Sequence, residues 1–286
     1  MARLLAILGF ALLTVSSAHA AYYKPIELHP DYNHTKYSPA CHEFEKQLRA
    51  YTTCFDTLED DGEAWGIPDF VSYEMKAFPG VLPGGPSRPS WFTEVALKEQ
   101  GIAPDDKTYK YSQDFRRTHP NWYERGHLTM KQHAWRLGPN ADWNTHTLLN
   151  AVPQRASFNK GIWRNLEDKT AEWADEFGAV WIIAGPVFIH GKPHSFLGEA
   201  DKEEMLVAIP DALFKVVIRV DEGELKVLAF VYPQEGESIA PIPNTSPREF
   251  NQADFLVSID EIEELTGLDF SLPDILESQP ADRIWD

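Results

Sequence analysis

Apolar positions follow the α period in one long stretch of the chain and run almost uninterrupted in the stretches after it. Ile162, Leu166, Trp173 and Phe177 fall at i, i+4, i+11 and i+15, one stripe of a helix starting near Asn159 or Lys160. Gly178 is placed to stop that helix. Ala179 to Ala184 are all apolar and read as a buried strand closed by Gly185-Pro186. Met205 to Ile209, Phe214 to Val220 and Leu225 to Tyr232 are three further strand candidates. Turns at Pro210-Asp211 and Asp221-Glu222-Gly223 separate them. Ser258 and Glu261 form a capping box that opens a short helix ending before Gly267. His42 to Tyr51 reads as a helix-like run and Trp91 to Leu97 as a strand candidate. Residues 79–89 and 234–250 are loops rich in proline. Strands dominate around one long helix, so the class is α+β.

The N-terminus carries a different signal. Arg3, the apolar run Leu4 to Val15 and the Ala18-His19-Ala20 box read as a secretory signal peptide, cleaved after Ala20. An uncleaved anchor is the alternative, disfavoured by the clean cleavage box. Residues 21–286 are then expected as one domain, with an N-terminal extension to about residue 60, in the periplasm or outside the cell. No later stretch reaches membrane-spanning length, so the mature form is expected to have no membrane partner. Cys41 and Cys54 are the only cysteines. They either form a short-loop disulfide or stay as two thiols, and export favours the disulfide.

Chemistry concentrates between Asn121 and Asp168. Tyr123-Glu124-Arg125-Gly126-His127-Leu128 comes first. Asn150-Ala151-Val152-Pro153-Gln154 follows, then Asn159-Lys160-Gly161-Ile162-Trp163 and, four residues on, Glu167. On a strand, Arg125 and His127 point to the same side, a cation beside a base. On one helix, Asn159, Trp163 and Glu167 share a face. Each residue also has an ordinary role open to it. Asn159 could be an N-cap, Glu167 a solvated helix charge, Arg125 a surface residue and His127 a core histidine. His190-Gly-Lys-Pro-His194, with His119, His133 and His146, offers a second metal-ligand set of zinc type, though without cysteines or a helical frame.

The motif set resembles the DNA/RNA non-specific endonucleases, the ββα-metal group that includes the Serratia-type secreted nucleases and endonuclease G. That family carries Asp-Arg-Gly-His, then Asn-x-x-Pro-Gln, then Asn-x-Gly-x-Trp-x-x-x-Glu. This chain matches from Arg125 onward and has Glu124 where the family has Asp. Residues Ala184 to Val187, Val207 to Pro210 and Phe214 to Val217 resemble its later strands, and Ser87-Arg88 with Trp91 its upstream arginine segment. The resemblance implies a mostly antiparallel central sheet with flanking helices. It also implies sequence-independent hydrolysis of DNA and RNA, leaving 5′-phosphates, with Mg²⁺ as cofactor and Mn²⁺ as substitute. His127 is then the general base and Asn159 the direct metal ligand. Glu167 holds metal-bound water, Arg125 and Arg88 contact phosphate, and Asn150 and Glu124 support the site. A catalytically impaired nucleic-acid-binding homologue, or another metal-dependent phosphodiesterase, is the alternative.

Charge tests that implication. The 286 residues include 26 Lys+Arg against 44 Asp+Glu, a net −18 that argues against a nucleic-acid binder as a whole. Lys107 to Lys169, however, holds eleven basic and five acidic residues. The motif segment is therefore basic inside an acidic protein, as a phosphate-tracking cleft requires.

Overall fold

The computed structural model describes residues 30–57, 62–82, 89–114, 122–198, 205–234 and 250–285. The signal-peptide segment and most of the 79–89 and 234–250 loops lie outside that set. Strands β1 (Phe44–Gln47), β2 (Thr52–Phe55) and β3 (Pro68–Lys76) come first, then helices α1 (Val95–Glu99) and α2 (Asp106–Asp114). Next are β4 (Tyr123–His127), α3 (Lys131–Trp135), α4 (Pro139–Asn144), β5 (Ala151–Arg155), α5 (Ala156–Lys160) and α6 (Ile162–Phe177). After them come β6 (Ala179–Val187), β7 (Phe196–Leu197), β8 (Val207–Ala208), β9 (Ala212–Asp221) and β10 (Glu224–Pro233). β11 (Leu256–Val257), α7 (Ile259–Thr266) and α8 (Asp274–Glu277) close the chain.

Seven strands form one antiparallel sheet in the order β1-β2-β3-β6-β9-β10-β11. β4 and β5 form a separate antiparallel ribbon. The sheet has two covered faces. Tyr73, Ile182, Leu213 and Val217 face α6 and the ribbon, where Trp163, Leu166 and Trp173 fill the core. Phe214, Val216, Ile218 and Ile183 face the other way and pack with Ile259 and Ile262 of α7. Both layers follow from the two-residue period of strands, which sends alternate side chains to opposite faces.

Several sequence expectations hold in detail. β9 and β10 pair through a two-residue turn in which Glu222 and Gly223 both have positive φ, the turn that matches strand twist. Ser258 caps α7, its Oγ accepting from the Glu261 amide at 3.1 Å, and Gly267 ends the helix at φ 75°. Cys41 and Cys54 are disulfide-bonded, with Cα atoms 5.5 Å apart.

Four expectations are corrected. His42 to Tyr51 is not helical. The disulfide holds this segment beside β2, and β1 pairs with it at the sheet edge, alternating half-buried and exposed residues. Trp91 to Leu97 is not a strand, since Phe92 makes one isolated bridge to Thr147 and α1 begins at Val95. Met205 to Ile209 is regular only at Val207–Ala208. Gly185-Pro186 does not end β6. The β3 pairing stops at Ala184, so beyond it only the β9 side is bonded, and an open edge accepts proline.

Candidate active site

β4 and β5 lie in register, Glu124 opposite Gln154, Arg125 opposite Pro153 and His127 opposite Ala151. The chain then turns directly into α5, breaks at Gly161 and continues as α6. The expected single helix from Asn159 to Glu167 is therefore two helices. Asn159 sits in the short first one, while Trp163 and Glu167 sit one turn apart in the second. The three motif pieces still converge. A cleft of about 500 Å³ is lined by Arg125 and His127 from the ribbon, Asn159 from α5 and Glu167 from α6, with Glu124 and Trp91 on its walls.

Gly126 explains the Arg-Gly-His spacing. A Cβ there would lie 2.0 Å from Gln154 Cδ, because the fully buried Gln154 side chain leans across the ribbon onto it. Trp163 locks the end of the ribbon, its Nε1 donating to the His127 carbonyl at 3.2 Å. The His127 ring lies 4.6 Å from the Trp91 ring and 5.0 Å from that of buried His146. Arg125 pairs with Asp106 at 2.5 Å, its guanidinium 5.9 Å from both the Trp91 and Tyr109 rings. Asn150 is fully buried and does not reach the cleft. Its side chain accepts from the Thr129 amide at 2.8 Å and donates to the Thr129 and Thr145 carbonyls at 2.9 and 3.0 Å.

Glu124 shows what the extra methylene does. Its Oε2 accepts from Asn159 Nδ2 at 2.6 Å, and its other oxygen pairs with Lys160. With the amide nitrogen committed to Glu124, Asn159 Oδ1 is turned away from the carboxylate. Glu167 is 4% exposed, not the solvated helix charge that its sequence position allowed. Burial raises its pKa to about 7, against the lowering effect of Lys215 and Arg164. His133, expected only as part of a zinc set, is instead a buried prop. Its Nε2 meets the Glu167 carbonyl at 3.0 Å and its Nδ1 the Tyr73 hydroxyl at 3.0 Å. Burial pushes its pKa down to about 3, so the ring is neutral. His190 and His194 sit on an exposed loop, His194 beside Asp211, and do not converge with His133 or His146. His119 and Arg88 lie outside the described residues.

The donor set suits a hard divalent cation. It offers an amide oxygen and nearby carboxylates, all oxygen, with room for water. Among the described residues no trio of histidine, cysteine or carboxylate ligands converges in the cleft, so any ion there would rest on Asn159 with water completing its shell. Sequence reasoning assigned no role to Lys131, Arg164 and Lys160, which add positive charge to the same walls. Their concentration in Lys107 to Lys169 was the available signal.

A two-stranded ribbon running into a helix, with a histidine on the strand and an asparagine on the helix above one basic cleft, is the architecture of the ββα-metal nucleases. The family model for the DNA/RNA non-specific endonucleases matches residues 77–273, and the chain belongs to that family. It is 28% identical to the mitochondrial nuclease EXOG of Homo sapiens over 155 residues, 52% of this chain and 39% of that protein. It is 31% identical to a nuclease of Nostoc sp. over 150 residues, 52% of this chain and 50% of the other. The Serratia marcescens nuclease matches at 27% over 132 residues, 45% of this chain and 44% of that one. This chain thus spans half or less of the length of these relatives. The fold is also that of EndoG in a crystal structure of the EndoG/EndoGI complex, with a TM-score of 0.60 at 20% identity, covering 82% of this chain and 89% of that chain.

Proposed function

We propose that the chain is an exported endonuclease that hydrolyses phosphodiester bonds of DNA and RNA without reading sequence, leaving 5′-phosphates. The observation that carries this reading is the convergence of Arg125, His127, Asn159 and Glu167 on one basic cleft. His127 takes the proton from the attacking water, a task suited to an imidazole near neutral pH. Trp163 and Trp91 hold it, one by bonding the backbone carbonyl, the other by ring contact. Asn159 Oδ1 would hold Mg²⁺, or Mn²⁺ in its place. The bound ion would supply the charge that stabilises the pentavalent phosphorus and the leaving oxygen. Glu124 fixes the amide orientation that makes this possible. Glu167, in its carboxylate form, orients water at the cleft floor. Arg125 meets phosphate, aided by Arg164 and Lys131, and Arg88 is assigned the same task from the family resemblance. Backbone phosphates carry no sequence information, which fits a cleft of cations without a base-reading element.

Plasmid DNA and a structured RNA, each incubated with the purified chain in Mg²⁺ and in EDTA, test this. Cleavage of both in Mg²⁺ only, with products that a ligase rejoins without prior phosphorylation, is the expected result. A folded chain that cuts neither substrate would refute the reading. Mass spectrometry of protein recovered outside the cytoplasm tests export, with Ala21 expected as the first residue.

A further inference from the structure

Lys215 lies on β9 with no exposed surface, between Leu213 and Val217 on the sheet face that meets α6. The period of the strand demands an apolar residue there. Its Nζ is sealed from solvent and has no hydrogen-bond partner among the described residues. A buried ammonium is strongly unfavourable unless something compensates its charge. Two groups on α6 do so. The Nζ sits 4.0 Å from the centroid of the Trp163 ring, a cation–π contact. One turn further along the same helix, the buried Glu167 carboxylate attracts it. Trp163 is the residue that bonds the His127 carbonyl, so the cation lies beneath both halves of the site.

We propose that Lys215 is a positioning residue of this site: its ammonium is the fixed countercharge that favours the ionised form of the Glu167 carboxylate and seats the Trp163 ring that holds the ribbon. The proposal rests on the role given to Glu167 above. Among the other groups around Glu167, Arg164 of its own helix acts in the same direction as Lys215 but less strongly, and its half-exposed partner Asp168, paired with it at 3.0 Å, acts in the opposite one. His133 of α3 is neutral and spends its Nε2 on the Glu167 backbone. Tyr73 of β3 is held protonated by burial, helped by the Glu167 charge, and bonds His133. Burial lowers the pKa of Lys215 to about 8, and Glu167 opposes that drop, so each charge supports the other.

The test uses Lys215→Met, Lys215→Arg, Glu167→Gln and the Lys215→Met/Glu167→Gln double variant in the full chain. In metal-free protein, carboxyl-carbon NMR follows the Glu167 titration, assigned by its loss in Glu167→Gln. Its midpoint is expected to rise by at least ~1 pH unit in Lys215→Met and to stay close to wild type in Lys215→Arg. The acid limb of the DNA cleavage rate in Mg²⁺ should move with it, and Lys215→Met should add little to the loss already present in Glu167→Gln. An unchanged Glu167 midpoint in folded Lys215→Met overturns the proposal. So does a further loss in the double variant as large as the loss in wild type. If Lys215→Met does not fold, the reciprocal measurement decides. The Lys215 Nζ midpoint, read by nitrogen NMR, should fall in Glu167→Gln, and an unmoved value overturns the coupling. A wild-type chain that cuts neither DNA nor RNA refutes the nuclease reading, while both NMR measurements still decide whether Lys215 sets the charge of Glu167.

Discussion

Gly126→Ala adds one methyl group in the middle of the Arg-Gly-His motif, and the structure dictates where it goes. The new Cβ would stand 2.0 Å from Gln154 Cδ, 2.2 Å from Cγ and 2.3 Å from Oε1. Real Cβ contacts do not approach so closely, so either Gln154 or β4 must move. Gln154 is fully buried, with both amide atoms sealed from solvent. Moving a sealed side chain disturbs the packing around it, so the strand is expected to lift, carrying Arg125 and His127. Overpacking of this kind costs ~1–3 kcal/mol. For a chain of this size ~2 kcal/mol lowers Tm by roughly 4–8 °C. The kinetic effect should exceed the thermal one. A displacement of ~1 Å in a positioned catalytic group can cost ~10²-fold in rate. Thermal melting and initial rates on plasmid DNA measure both, and Gly126→Ala/Gln154→Ala provides the relief control, since truncating Gln154 empties the contested space. A single variant within about 1 °C and twofold of wild type would sink the argument. So would a double variant no better than the single, because strain against Gln154 would then not be the cause.

Four further outcomes follow from the same geometry. His127→Ala should lose ~10²–10⁴-fold in rate with an unchanged Mg²⁺ midpoint, whereas Asn159→Ala should raise that midpoint; rate against Mg²⁺ concentration separates them. Reducing the Cys41–Cys54 disulfide, which closes a loop of sequence separation 13, should cost ~2–3 kcal/mol in denaturant melts and leave cleavage below the transition unchanged. Buried His34 and His133 have folded pKa values lowered to about 4 and about 3, below the unfolded 6.5, so the unfolded chain takes up protons first as pH falls. Their joint effect is a drop in stability from about 6.5 down to pH 4, only partly offset by Glu167, whose raised pKa of about 7 works the other way, and His34→Gln should flatten the fall by up to ~3 kcal/mol in urea titrations at each pH. Finally, the acidic body of the molecule should repel DNA at low salt, so the cleavage rate should hold or rise toward moderate salt; a steep fall from the lowest salt upward would contradict this.

The long helix and the three large C-terminal strands were legible because their apolar patterns serve a single purpose. The Ile162, Leu166 and Trp173 stripe and the runs at 179–187, 212–221 and 224–233 pack against one another. The site was legible for another reason: its residues lie close together in the chain, so motif spacing alone nearly assembles it. Where the structure departs from the sequence pattern, local preference is overruled by a distant partner. Phe44–Gln47 becomes a strand because β2 and a disulfide present an edge to it. The depth of Glu167 was hidden because Tyr73, His133 and Lys215 reach it from three separate elements. Lys215 did leave a trace, a lone charge inside the apolar run Phe214 to Val217, but a strand pattern does not tell what lies across from it.

The ribbon that carries Arg125 and His127 is not part of the large sheet, and two strands alone are marginal in water. Its rigidity comes from side chains that reach its backbone from elsewhere. Tyr109 donates to the Ala151 carbonyl at 3.2 Å. Gln234, at the end of β10, donates to the Pro153 carbonyl at 2.9 Å and accepts from the Arg155 amide at 2.9 Å. In a strand, the amide and carbonyl of one residue point the same way. Since the Pro153 carbonyl faces Gln234, its nitrogen faces away from β4 too, and the proline costs the ribbon no ladder bond. It also removes a donor that Gln234, already using its amide nitrogen on Pro153 and Pro210, would otherwise have to meet. The Pro-Gln pair thus does two jobs on the two sides of β5. Pro153 sits on the edge that the large sheet clamps, and Gln154 fills the face that Gly126 leaves open. Through that strand the sheet fixes the height of His127 above the cleft without contributing a residue to the chemistry.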